Sequence, residues 1–451
     1  MHHCLFVSEI LEAIVTFLDE MRTSPSRKDV LAFVLTCHTF REPGLDILWR
    51  ELENPGPLAF AFLPNVEPIF PSDYDDEEIE MEHKKDPPHP TAVIGLSKVP
   101  TIADWEQFRR YSKRVRVLRD YDYYNAVHTQ FLIDLLAYRP PGVPLLPNLR
   151  KLKWKDYQGR LRFPTLSLFL SPTLTTVCVF VGCNMNAVKL WGLLQSTTPA
   201  LRRVVVTVHD FIPSEMNRTS FSQALRSWQD LTILEIRDFN YWGTQTCFSQ
   251  PISTDDLTLL SQRPKLCRLR VAVADDVAPL KPSPIQENYF ASLQDLTITT
   301  KNVPLITQII KAVHPRGLRS IVLRCWLTYS PAELSDFLQA IAMHRQLNSL
   351  EINIVERHNP NTKRDDLFIT GETLAPTFAL AELTQLNIEA FGVNLTAESL
   401  EKMARSWPKI TDLRLTSTSK QATTLIEASD LEVFTLYCPL METLSIPVRK
   451  V

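Results

Sequence analysis

The sequence predicts an α/β protein in which a short domain of three helices precedes a long array of parallel strands alternating with helices. Three observations predict it. A six-residue apolar pattern returns eleven times between residues 149 and 446. Stretches with apolar residues at helical spacing separate its copies, and the first sixty residues show helical spacing throughout. At 451 residues the chain exceeds one ordinary domain. The expected parts are a helical domain at 1–60, a linker at 61–100 and the repeat array at 101–451.

Composition narrows the function classes. With 48 Lys plus Arg against 51 Asp plus Glu, the net charge of -3 gives no general pull toward nucleic acid or an anionic membrane. Gly 11 against Pro 32 disfavours glycine-cradled phosphate loops. No apolar run approaches the roughly 18 residues of a membrane span. The eight cysteines form no C-x-x-C pair, which reads as reduced thiols in the cytoplasm or nucleus.

In the first helix, "SEILEAIVTFLD", Ser8 can cap the start and Ile10, Ile14 and Leu18 lie four apart. The second follows Ser26 and Asp29, which have capping-box spacing, and lines up Val30, Leu31, Val34, Leu35 and His38. Pro43 can open the third, where Leu45, Leu48, Trp49 and Leu52 stand at helical spacings before "NPGP". A domain of some sixty residues buries only about 60% of its unfolded surface, so this unit needs a partner.

These stretches, "FVSEILEAIVTFLDE" and "KDVLAFVLTCHTFREPGLDILWREL", resemble an F-box, most of all those of mushroom-forming fungi. The family's three helices plug into the Skp-family adaptor of cullin-based SCF ubiquitin ligases. The resemblance implies that Phe6, Val7, Glu9, Ile10, Ile14, Leu31, Val34, Cys37 and Trp49 contact that adaptor, with Cys37 in the middle of the second helix. Val7 stands where the family has proline.

In the linker, "PSDYDDEEIEMEHKKDPPHP" packs seven carboxylates between Asp73 and Glu82, which favours a solvated segment. His83 and His89 have no metal-ligand spacing, so no metal is expected. Asp104 and Trp105 restart ordered structure, and "YSKRVRVL" at 111–118 reads as a weak first strand.

The repeat places apolar residues first, fourth and sixth: "LRKLKW" at 149, then copies at 174, 201, 231, 266, 293, 318, 347, 383, 410 and 441. The intervals of 25 to 36 residues, with helices such as "AELSDFLQAIAMH" and "AESLEKMARSWPK" between strands, form units that bury their apolar faces only against one another. The array resembles ribonuclease-inhibitor-like leucine-rich repeats, which implies a curved solenoid with strands inside the arc and helices outside. The asparagine that family carries after each strand is missing. Aromatics stand near its place at Tyr157, Phe239, Trp326 and Phe391, and are read as turn-filling residues.

Alternation along each strand turns the third, fifth and seventh residues away from the core. The expected substrate face therefore includes Lys151, Lys153, Lys155, Arg203, Glu235, Arg268, Arg270 and Glu351, with Asp295 and Glu389 beside them. The basic run from Arg109 to Arg119 suits an acidic or phosphorylated partner. No nucleophile, zincin or phosphate-loop motif occurs, so neither catalysis nor a cofactor is expected. The expected function is substrate recognition within an SCF-type ligase. The alternative is a stand-alone repeat scaffold whose N-terminal helices cap the array. Because the chain stops at Val451 soon after a strand, an exposed apolar end is also expected.

Overall fold

The computed structural model describes residues 27–62, 66–69, 93–119, 126–142, 144–156, 163–182, 184–209, 215–239, 251–273, 289–300, 302–315, 317–325, 331–354, 368–417 and 426–448. The first predicted helix, with Phe6, Val7, Glu9, Ile10 and Ile14, lies outside them, as do the acidic block and Tyr157 and Trp326. Backbone contacts group the chain into two compact units, Met1–Leu201 and Arg202–Val451.

In the N-terminal unit, parallel strands β1 (Glu51–Leu52), β4 (Val117–Arg119), β5 (Lys151–Asp156) and β6 (Thr176–Val181) pair in that order. β2 (Val66–Ile69) and β3 (Val93–Leu96) form a separate antiparallel pair. The residues expected to act as a linker are thus ordered on both sides of the acidic block. Ala61 and Phe62 are buried, and the Phe62 ring packs 5.0 Å from Trp105 and 4.8 Å from Phe108 on the helix Ile102–Ser112. That helix opens with a capping box between Thr101 and Asp104, but β3 shows that ordered structure resumes by Val93, earlier than the sequence indicated.

The C-terminal unit holds parallel strands β7 (Arg203–His209), β8 (Ile233–Phe239), β10 (Arg268–Val273), β11 (Asp295–Thr300), β12 (Ser320–Cys325), β13 (Ser349–Ile354), β15 (Gln385–Ala390), β17 (Asp412–Ser417) and β18 (Thr443–Ser445), hydrogen-bonded in that order. Short strands β9 (Pro251–Ile252), β14 (Phe368–Thr370) and β16 (Gly392–Asn394) lie off this path. Helices Thr254–Ser261, Val303–Ala312, Pro331–Ala342 and Ala397–Ser406 fill intervals between strands.

Each of the eleven sequence copies becomes a strand that begins two residues after its first apolar position. In ten of them the first, fourth and sixth residues bury on one face, as Leu383, Leu386 and Ile388 do with no exposure at all, while in the last copy Met441 and Leu444 are half-buried. Fully burying such a side chain is worth about 1.5–3 kcal/mol. The register is locked by one recurring hydrogen-bond pair. The second and third residues of a copy donate their N–H groups to the second carbonyl of the copy before, as Thr411 and Asp412 do to Thr384 at 2.8 and 3.1 Å. Repeats so aligned stack core on core. Phe391, one of the aromatics in the asparagine's place, packs edge-on against Phe368 at 6.0 Å, as a turn-filling residue would.

The helix ending at Ala342 hands over to buried His344, whose Nε2 lies 3.1 Å from the Ile310 carbonyl. Burial pushes its pKa below the ordinary imidazole value, with the Ile310 contact opposing. Between the depressed folded pKa and about 6.5 the unfolded chain binds more protons, so stability falls as pH drops through that window. Urea midpoints are expected to decrease from pH 7.5 to 5, with a smaller slope in His344→Gln.

Candidate functional site

Two surfaces carry the expected site residues. The first is the helix pair Arg27–Thr36 and His38–Leu48. The two helices pack through Val30 and Ile47, with Phe33 and Leu48 alongside, and Phe33 stacks on Phe40 at 4.4 Å. Gly44 makes the close crossing possible, because a Cβ there would stand 2.4 Å from Val34 Cγ2.

The boundaries differ from the sequence reading in two ways. Cys37 is extended at φ -159 and ψ 163 and separates the helices, so it is not within the second, and His38 begins the next. At the end of the preceding helix the Thr36 hydroxyl donates to the Phe33 carbonyl. The following helix starts at His38 and carries Pro43 in its interior instead of at its start.

Val34 is buried in this pair and Cys37 is half-buried. Leu31 and Leu35, one turn apart, stay 45% and 76% exposed. Together they form an exposed apolar stripe on the second helix.

Trp49 faces the opposite way. Its ring lies 4.8 Å from Tyr111, and the backbone beyond it leaves the helix to become β1. Arg116 and Val117 donate to the Arg50 carbonyl at 2.8 and 3.0 Å, the same bond pair that registers later repeats within each unit. Trp49 therefore occupies the first position of an additional, leading copy, and Leu52, 1% exposed, its fourth. Arg114 adds a second tie, pairing with both Glu42 and Asp46. The Arg114 hydrogen bond holds the Glu42 carboxyl below its usual value, with burial opposing. The helix pair is thus fastened to β4 by backbone, ring and charge.

The second surface is the sheet face that the buried positions leave open. In the N-terminal unit Lys151 is exposed and Lys153 and Lys155 are half-buried, standing across from Thr176, Cys178 and Phe180. In the C-terminal unit the register brings several expected residues together. Glu235 is only 3% exposed; Arg237 Nε donates to it at 3.0 Å, and Arg268 reaches it at 4.0 Å while binding Asp295 at 2.8 Å. These four form a charge chain across three strands, which leaves Arg268 and Glu235 largely spoken for. Asn353 donates to Glu351 at 2.7 Å.

Arg270 is different. It opposes Glu235 on one side and Thr297 on the other, and among the described residues it has no hydrogen-bonded partner. Burial pushes its pKa down, as do Arg324 and Arg237, while Glu235 and Glu351 pull it up. Arg203 and Arg324 each bury an Nε with no acceptor. Arg324, which lies beside Thr299 on the next strand, was not among the expected site residues. Its signal was present, since it is the seventh residue of "LRSIVLR". The open face thus offers Arg270 and Arg324 across a floor of Ala272, Thr297 and Thr299, bounded by the carboxylates of Glu235, Glu351 and Glu389. Such a mosaic suits a protein segment with alternating charge.

Among the described residues no cluster of His, Cys, Asp and Glu could hold a metal, and no helix is long and apolar enough to cross a membrane. Cys438 is buried with its Sγ 3.4 Å from the Ala404 carbonyl, and burial raises its pKa. Compared with known proteins, the chain matches no family model and no curated sequence.

Proposed function

We propose that the chain is the substrate-recognition subunit of an SCF-type cullin ubiquitin ligase, with its N-terminal helices docking a Skp-family adaptor and the open strand face holding a protein substrate. The observation that supports this reading most is the exposed Leu31 and Leu35 stripe on a helix pair fastened to β4. A partner docked on that stripe is held at a fixed place relative to the face of β4 to β6. Ubiquitin transfer by the other subunits then gains from proximity, because a held target has a high effective concentration. In this reading the chain supplies position and no catalytic group.

A second reading, a stand-alone repeat scaffold closed by its N-terminal helices, is favoured by Trp49 and β1, which extend the repeat pattern to residue 49. The two differ in partners. Co-expressed with a Skp-family adaptor and a cullin, the full chain is expected to purify as a ternary complex. A chain that purifies alone under these conditions leaves only the scaffold reading.

A further inference from the structure

A cavity of about 1000 Å³ lies between the helix His38–Leu48 and the leading ends of β4 and β5. Its wall carries Arg50, Lys113, Arg114, Arg116, Arg150 and Lys151. Arg50, Arg116 and Arg150 hold the same second position in three successive repeats, as the shared carbonyl bond pair shows. Neighbouring strands lie about 4.8 Å apart, so the three residues form a row at that spacing.

Like charges in such a row repel unless something neutralises them. The two carboxylates in the wall, Glu42 and Asp46, are both engaged by Arg114. Arg116 spends one Nη on the Asn148 carbonyl at 3.4 Å. Among the described residues Arg50, Lys113, Arg150 and Lys151 have no carboxylate at ion-pair distance, and all four are exposed. Cations left without carboxylates around a cavity call for an anion from outside.

We infer that this cavity binds a phosphoryl-bearing anion. Guanidinium forks match phosphate oxygens in pairs, and lysines add point charge without fixing direction. The volume is at the upper end for a small-ligand site, enough for a phosphoryl group with part of its carrier. The exposed carboxylates of Glu42 and Asp46 at the rim repel a long polyanion, so a single compact group is favoured over nucleic acid. The site is independent of adaptor docking and stands whether or not an adaptor binds.

The test uses the full chain with two probes: inorganic pyrophosphate, and a labelled phosphoserine peptide alongside its unphosphorylated twin. Pyrophosphate is expected to raise the melting temperature beyond sodium chloride at equal ionic strength. Arg50→Gln with Arg150→Gln is expected to abolish that rise and to weaken phosphopeptide binding at least about tenfold, as expected for losing two charge-assisted contacts. Both side chains are exposed and the ladder uses only their backbone groups, so the variant's own melting temperature should hold. Should it not fold, Lys113→Gln with Lys151→Gln tests the same cavity. Tighter binding of the phosphopeptide assigns the group to a protein partner, and tighter pyrophosphate to a free polyphosphate. A chloride-like response, equal binding of the unphosphorylated twin, or undiminished binding in the charge-removed chain overturns the inference.

Discussion

Replacing Trp49 with alanine is expected to lower the stability of the full chain by about 2–3 kcal/mol, read from urea unfolding followed by tryptophan emission and circular dichroism. The magnitude is below the roughly 3–5 kcal/mol of a fully buried tryptophan because this ring is half-buried. The loss has a defined route. Trp49 covers Tyr111 at 4.8 Å and fixes the turn from helix to β1, whose register with Val117 and Leu118 depends on it. Val115 and Leu118, both fully buried, sit directly behind that strand. A Trp49→Ala chain that keeps wild-type stability would mean that the leading repeat contributes nothing. Any adaptor binding lost in this variant is therefore an effect of stability as well as contact, and Trp49 alone is a poor probe of docking.

Leu31→Asp combined with Leu35→Asp is the cleaner probe and carries the largest functional effect. Both side chains are exposed, so their replacement removes little core, and the expected change in melting temperature is within error. Burying two leucines against a partner is worth about 1.5–3 kcal/mol each, and a carboxylate in their place adds a desolvation cost. Affinity for a Skp-family adaptor is expected to fall by a factor of at least about 100. A variant that unfolds would instead show the stripe to be part of the core.

The repeats were legible because their chemistry is periodic. Residues such as Leu347, Leu350 and Ile352 must all reach one face, and only a strand places first, fourth and sixth positions so, once the first sits in the turn ahead of it. The leading copy was not legible, although "WREL" has an apolar residue in the first and fourth places. Its sixth place is Asn54, and a tryptophan at helical spacing from Leu45 reads equally well as helix. Only the bond pair on the Arg50 carbonyl distinguishes them. The break at Cys37 escaped for a similar reason: apolar spacing runs smoothly through it, while the extended backbone of Cys37 leaves no mark in that spacing.

On the open face, position was readable and partnership was not. The alternation of "RLRV" placed Arg268 and Arg270 outward correctly. Whether each is satisfied depends on strand register, which sets Arg268 against Asp295 and leaves Arg270 between Glu235 and Thr297. A separation of 27 or 35 residues carries no such information. The same holds for the basic cavity, where Arg50 and Arg150 meet although a hundred residues part them.

Calorimetric titration of a purified Skp-family adaptor into the full chain, alongside the Leu31→Asp, Leu35→Asp variant, tests the proposed receptor role most directly. Saturable one-to-one binding by the wild type, lost in a variant that melts at the same temperature, is the predicted result. Heats no larger than dilution for the wild type, or equal affinity in the variant, would contradict it.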